Sequence, residues 1–125
     1  MDTTTAGQLF DLDTPPMAIT IRQPWASLIT AGIKTIENRS WPTTYRGPLL
    51  IHAGLSTDID GIATHGHLLK DDLPAGAIIG TVQLVTCIRD SCSPWAEPGQ
   101  WHWILKDPQP CDPRPARGRL GLWRP

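Results

Sequence analysis

The chain has 125 residues, 40% of them hydrophobic and 18% charged, with eleven Lys and Arg against twelve Asp and Glu. That length bounds it to about one domain, and that much apolar material excludes a fully disordered chain. With a net charge of −1, any grip on a polyanion must come from local clustering and not from the molecule as a whole.

Met1 to Thr14 carries Asp2, Asp11 and Asp13 and no basic residue, unlike the basic start of a secretory signal. Residues 1–15 therefore read as a peripheral polar leader, and the chain as cytoplasmic. Met17 to Ile21 (MAITI) reads as a first strand. Pro24 suits the first position of a short helix. Trp25, Leu28 and Ile29 recur at helical spacing, and Gly32 supplies the stop. Ile33 to Trp41 reads as extended, ended by Pro42. Tyr45-Arg46-Gly47 turns into Pro48 to Ala53 (PLLIHA), a strand apolar enough to be covered on both faces. Residues 55–70 are polar with room for a helix, and 71–76 form a turn.

Ala77 to Ile88 is the longest β-like run. Ile78, Val82, Leu84 and Ile88 share its more apolar face, and Gly80 stands where a small closed sheet would bend. Gln100 to Lys106 reads as a strand with Trp101, Trp103 and Leu105 on one side. The tail from Pro108 is rich in Pro, Arg and Gly, with Leu120 to Trp123 as a closing strand. Trp103 and Trp123 read as core. Thirteen prolines exceed twice the usual share of roughly 5%, which favours short elements and many turns. Together these elements predict an α+β domain, mainly β: a small barrel with short helices outside it.

No apolar run approaches the roughly 18 residues of a membrane span, so no membrane partner is expected. Cys87, Cys92 and Cys111 are an odd set without metal spacing, and His65-Gly66-His67 completes no zinc pattern with them. Reduced thiols, no metal and no cofactor are expected.

Charge is uneven along the chain. From Met17 to Gly54 stand Arg22, Lys34, Arg39 and Arg46 against Glu37 alone, and from Cys111 to Pro125 stand Arg114, Arg117, Arg119 and Arg124 against Asp112. Trp25, Trp41 and Tyr45 interleave with the first cluster. Cations beside aromatic faces suit single-stranded nucleic acid or a splayed-out base.

Gln23-Pro24-Trp25, the run Gly32 to Trp41 (GIKTIENRSW), Tyr45-Arg46-Gly47 and Ile51-His52-Ala53 resemble the ASCH domain, as do Gln100 to Leu105 and Gly118 to Trp123. The resemblance spans Ala18 to Trp123 and implies a PUA-like pseudo-barrel occupying residues 16–125 as a single domain. It also implies a cleft beside the barrel for RNA, a nucleotide or a modified nucleoside, with the Gly-x-Lys-Thr-x-Glu segment contributing to that cleft. Some ASCH-like proteins remove the acetyl group of N4-acetylcytidine with a Lys, a Thr and a Glu. Here the position of that Thr, three residues after Lys34, holds Glu37. Ribonuclease activity has also been associated with the family.

Three functions follow as expectations. The first is binding of RNA, a nucleotide or a modified base. Lys34, Arg39 and Arg46 would contact phosphate or carbonyl oxygens, and Glu37 would read an amino group. Trp25, Trp41 or Tyr45 would shape or stack, and Gln23 would read a base edge or cap the helix. The second is a hydrolase using Lys34 and Glu37, with His52 as a further candidate; His52 sits in an apolar strand and reads equally as a satisfied core histidine. The third is a protein-interaction or transcription coregulator module. Glu37 and Arg39 are two apart and share a strand face. Lys34 and Glu37 are three apart, so their joint action requires a break in strand geometry near Lys34-Thr35. The cleft is expected to be electropositive.

Overall fold

A computed structural model describes residues 15–125, so the leader expected over residues 1–15 falls, apart from Pro15, outside it. The described chain runs β1 (Met17–Gln23), α1 (Trp25–Thr30), β2 (Ile36–Arg39), β3 (Gly47–Thr57), α2 (Ile59–His65), a 3-10 turn (Gly66–Leu68), β4 (Ala77–Ile88), β5 (Trp101–Pro115) and β6 (Leu122–Trp123). One six-stranded sheet in the order β2-β5-β4-β3-β1-β6 curls into a half-barrel. β1 and β3 pair in parallel, and every other pair is antiparallel. This is the mainly β, α+β architecture that the patterning predicts.

The hydrophobic pattern explains the layering. Side chains alternate along a strand, and β1 and β3 bury both sets. Ile19, Ile21, Leu49 and Ile51 join Ala26 and Ile29 of α1 in the main core, with Val82, Leu84 and Trp103. Ala18 and Leu50 point the other way and pack with Ile78 and Trp123. The PLLIHA strand is thus covered on both faces. Trp103 is 0% exposed.

Four expectations need correction. Pro24 is the N-cap of α1 and not its first helical residue. The expected apolar face of β4 splits: Ile78 packs with the outer cluster, whereas Val82 and Leu84 pack with the main core, as does Ile79. The β4–β5 register slips between Ile78 and Gly80, and a one-residue slip sends the following side chains to the opposite face. Gly80 is required there because a Cβ would stand 2.6 Å from the Gln109 carbonyl oxygen.

β5 continues well past Lys106, through Pro108, Pro110 and Pro113 to Pro115. β2 covers only Trp101 to Ile104 on one side, and the β4 ladder slips at three places. Such a strand has positions that owe no backbone donor, and prolines fit them. Lastly, the closing strand is only Leu122–Trp123, and Leu120 is 98% exposed.

Because β6 pairs only with Ala18 and Ile19, the edge of β1 is open from Thr20 onward. There the Arg39 guanidinium of β2 donates to the Thr20 carbonyl oxygen at 3.0 Å. A side chain, and not a ladder, ties the two sides of this seam.

Candidate functional site

The site begins where α1 ends. The Leu28 carbonyl accepts from both Ile33 and Lys34 amides at 3.0 Å, and Gly32 supplies the positive φ of 79° that the turn needs. Lys34 leaves this turn before regular β2 starts at Ile36, so strand alternation does not govern it. Its side chain folds over Ile36, donates to that residue's carbonyl oxygen, and places Nζ 3.4 Å from Glu37 Oε1. Arg39 Nε donates to Glu37 Oε2 at 2.9 Å. The break in strand geometry and the shared face of Glu37 and Arg39 are both present, and one carboxylate lies between two cations.

Lys34 is 6% exposed and Glu37 7%. Burial pushes the Lys34 amine below the ordinary lysine pKa, and the neighbouring Glu37 carboxylate opposes part of that fall. Nζ also lies 5.9 Å from the Trp25 ring centroid, within cation–π reach.

These three residues floor a cavity of about 850 Å³ with Thr20 and Ile21 of β1. Its walls are aromatic. Trp25 meets His65 at 5.4 Å between centroids, and His65 meets Trp95 at 5.1 Å. Trp41 lines the other side, edge-on to buried Trp103 at 4.9 Å; the Trp103 indole donates to the Trp41 carbonyl at 3.1 Å. Asp58 fixes the Trp25 wall. Its Oδ1 accepts from the Gly61 amide at 3.0 Å, capping α2, and its Oδ2 accepts from Trp25 Nε1 at 3.1 Å. The Gly61 amide first, then the indole, hold the Asp58 carboxyl below its usual pKa. Gly61 lets α2 sit against the indole, since a Cβ there would approach Trp25 to 2.6 Å. The Trp95 wall hangs on Asn38, whose Nδ2 donates to the Trp95 carbonyl at 2.9 Å and whose Oδ1 accepts from the Glu97 amide at 3.0 Å.

Of the candidates read from sequence, Trp25, Lys34, Glu37, Arg39 and Trp41 meet at this cavity, and four stand elsewhere. Gln23 serves the start of α1: Oε1 accepts from the Ser27 amide at 3.0 Å, and Nε2 donates to Ser27 Oγ and the Pro74 carbonyl. The Tyr45 hydroxyl donates to the Pro48 carbonyl and accepts from the Met17 amide, joining β1 to β3. Arg46 bonds the carbonyls of Thr43 and Tyr45 in its own loop. His52 is buried, stacks edge-on with Trp123, and bonds the Ala116 carbonyl through Nε2 at 2.7 Å.

Arg22, Asn38, Asp58, His65, Trp95 and Glu97 also line the cavity; none is among the candidate site residues read from sequence, although Arg22 stands in the basic cluster and His65 was weighed as a zinc ligand. Asp58 carried a usable signal, as an N-cap residue ahead of a helical segment. His65, Trp95 and Glu97 carried none, because α2 and the loop holding Trp95 approach β2 only in the fold; Arg22 and Asn38 lie on β1 and β2 themselves. Counted over its lining, the cavity holds Arg22, Lys34 and Arg39 against Glu37, Asp58 and Glu97. It is charge-balanced, which corrects the expectation of an electropositive cleft. Among the described residues no three His, Cys, Asp or Glu side chains come together to hold a metal ion, and no helix is long and apolar enough to cross a membrane. Cys87, Cys92 and Cys111 are free thiols.

A curled mixed sheet with short helices and a cavity at the β1–β2 seam defines a small PUA-like domain. The sequence profile of the ASCH domain matches residues 19–110, and the chain belongs to that family. A point mutant of the ZmASCH protein from Zymomonas mobilis has a similar fold in its crystal structure, with a TM-score of 0.53 at 16% identity over 80% of this chain and 75% of that one. Activating signal cointegrator 1 is 29% identical over 85% of this chain, both in Homo sapiens and in Mus musculus. The chain spans 22% of the length of those relatives.

Proposed function

We propose that the cavity binds a nucleobase presented by RNA, a nucleotide or a modified nucleoside. The observation that carries this reading is the buried Lys34–Glu37 pair, with half-buried Arg39 beside it, at the floor of an aromatic-walled cavity. The volume falls within the roughly 300–1,000 Å³ of small-molecule sites. A base edge carries donors and acceptors side by side, and a carboxylate flanked by cations offers the complement. Glu37 accepts from an exocyclic amino group, and Lys34 donates to a ring carbonyl. Trp25, Trp41 and Trp95 supply flat faces, worth about 1–3 kcal/mol per stacked base.

Titration of nucleosides, N4-acetylcytidine included, against tryptophan fluorescence tests the reading. Saturable quenching is expected, weakened by Lys34→Ala and unaffected by Lys70→Ala, which removes the same charge outside the cavity. Equal loss from both variants, or no saturation with any nucleoside, overturns it. A hydrolase reading takes its support from the same buried amine, held below its usual pKa beside a carboxylate. It predicts turnover that Lys34→Ala abolishes while binding persists. A coregulator role as a protein-contact module draws its support from the name of the two relatives. It gains if no nucleoside binds and a protein partner buries Leu55 and Leu120, which are exposed.

A further inference from the structure

A second cavity, of about 590 Å³, lies across the seam from the first and shares Thr20 and Arg39 with it. Its outer wall is the loop Ala116-Arg117-Gly118-Arg119-Leu120-Gly121. The loop is pinned at its start, where the Ala116 amide donates to the Gly76 carbonyl at 3.1 Å and the Ala116 carbonyl takes the His52 Nε2 bond. It is pinned at its end by β6 on β1. Gly118 lets it press onto β3 and β1, since a Cβ would stand 2.8 Å from the His52 ring and from Thr20 Oγ1. The two cavities differ in charge. The first is balanced, whereas the second is lined by Arg117 and Arg119 and by no carboxylate, with Arg39, already paired to Glu37 at 2.9 Å, shared between the two.

Resting on the nucleobase reading above, we propose that the ligand is a single-stranded oligonucleotide, with one base in the first cavity and the adjoining backbone phosphates in the second. A nucleobase is neutral and needs matched donors and acceptors, which the balanced cavity presents. A phosphodiester is anionic, and guanidinium groups bind phosphate with paired donors. Arg39 stands at the junction, where a strand leaving the first cavity must pass. His52 is a positioning residue in this scheme, holding the loop that carries Arg117 and Arg119. The Arg-rich tail, which the first cavity does not use, thereby acquires a role.

The test measures binding of cytidine and of a short cytidine-containing RNA to the full chain as salt is raised. Three proteins are compared: the parent, Arg117→Ala/Arg119→Ala, and Lys106→Ala/Arg114→Ala, which removes two exposed charges of β5 outside both cavities. Cytidine binding should be insensitive to salt and equal in all three. The RNA should bind the parent at least about tenfold more tightly than cytidine does, with log affinity falling as log salt rises by about 0.7 per phosphate engaged. The Arg117/Arg119 variant should lose most of that gain and of that slope, and the control should keep both. Amide NMR signals of residues 117–121 should move with RNA and stay still with cytidine. Cytidine binding without a gain from RNA, or equal loss in both double variants, overturns the second cavity and leaves the first intact. Failure of cytidine and RNA alike overturns both readings.

Discussion

Replacing Glu37 by Gln keeps the shape of the cavity floor and removes the charge that offsets the burial of Lys34. Lys34 is 6% exposed, and its ammonium reaches that carboxylate at 3.4 Å. Removing one partner of a buried ion pair costs about 3–5 kcal/mol, because the remaining charge is left uncompensated. At about 3–5 °C per kcal/mol for a domain of this size, that is a fall in Tm of about 10–20 °C near neutral pH. Arg39 also loses Glu37, but it is nearer solvent and keeps its bond to the Thr20 carbonyl, so Lys34 dominates.

The pH dependence has a definite sign. The folded state holds the Lys34 amine below its model value of 10.5, so between that lowered value and 10.5 the unfolded chain binds more protons. Lys34's contribution to stability therefore rises with pH through that window. Glu37→Gln lowers the amine further and extends the window downward. The deficit of the variant should be largest near neutral pH and should shrink as pH rises and Lys34 sheds its proton. Thermal melts of both proteins at a series of pH values measure this, and Lys34→Met in the Glu37→Gln background should restore most of the lost Tm. A loss under about 1 kcal/mol, which is what an exposed pair is worth, or a deficit independent of pH, would refute the assignment of Lys34 and Glu37 as a buried, coupled pair.

Trp103→Ala should cost about 3–5 kcal/mol in denaturant melts; because it also removes the donor and edge contact that set Trp41, it should weaken nucleoside quenching in protein that remains folded. Asp58→Ala should lower Tm at pH 7 by removing the cap of α2 and the Trp25 indole acceptor. Since the Asp58 carboxyl is held below its usual pKa, its contribution is present above the unfolded carboxylate pKa and lost as pH falls through the folded one, so the parent and the variant should converge in acid. Deleting residues 1–14 should leave Tm unchanged if the leader is peripheral as its composition suggests; a large drop would place that segment on the domain.

Strand identity was legible where a periodic apolar run met a turn residue. Ala77–Ile88 ends where its run of β-formers ends, and the helix at Trp25 ends one residue before the Ala31-Gly32 turn. The shared face of Glu37 and Arg39 was legible as well, because residues two apart on a strand point the same way; Lys34 joins them only because the chain leaves the Gly32 turn before β2 begins at Ile36. His52 shows the limit. An ionisable ring in a strand of apolar residues reads alike as a ligand or as core, and only the arrival of Ala116 and Trp123 decides how it is used.

The sequence by itself determined the mainly β character, the covered β3 strand, the buried Trp103 and the shared face of Glu37 and Arg39, all of which rest on short-range periodicity and residue chemistry. Tertiary structure alone decided the bulge that splits β4 between two cores, the continuation of β5 through four prolines, and the Asp58, His65 and Trp95 walls. It also decided the sign of the cavity. Glu37, Asp58 and Glu97 lie 21 and 39 residues apart in sequence yet line one space, and electrostatic balance depends on distance in the fold, which composition along the chain does not encode.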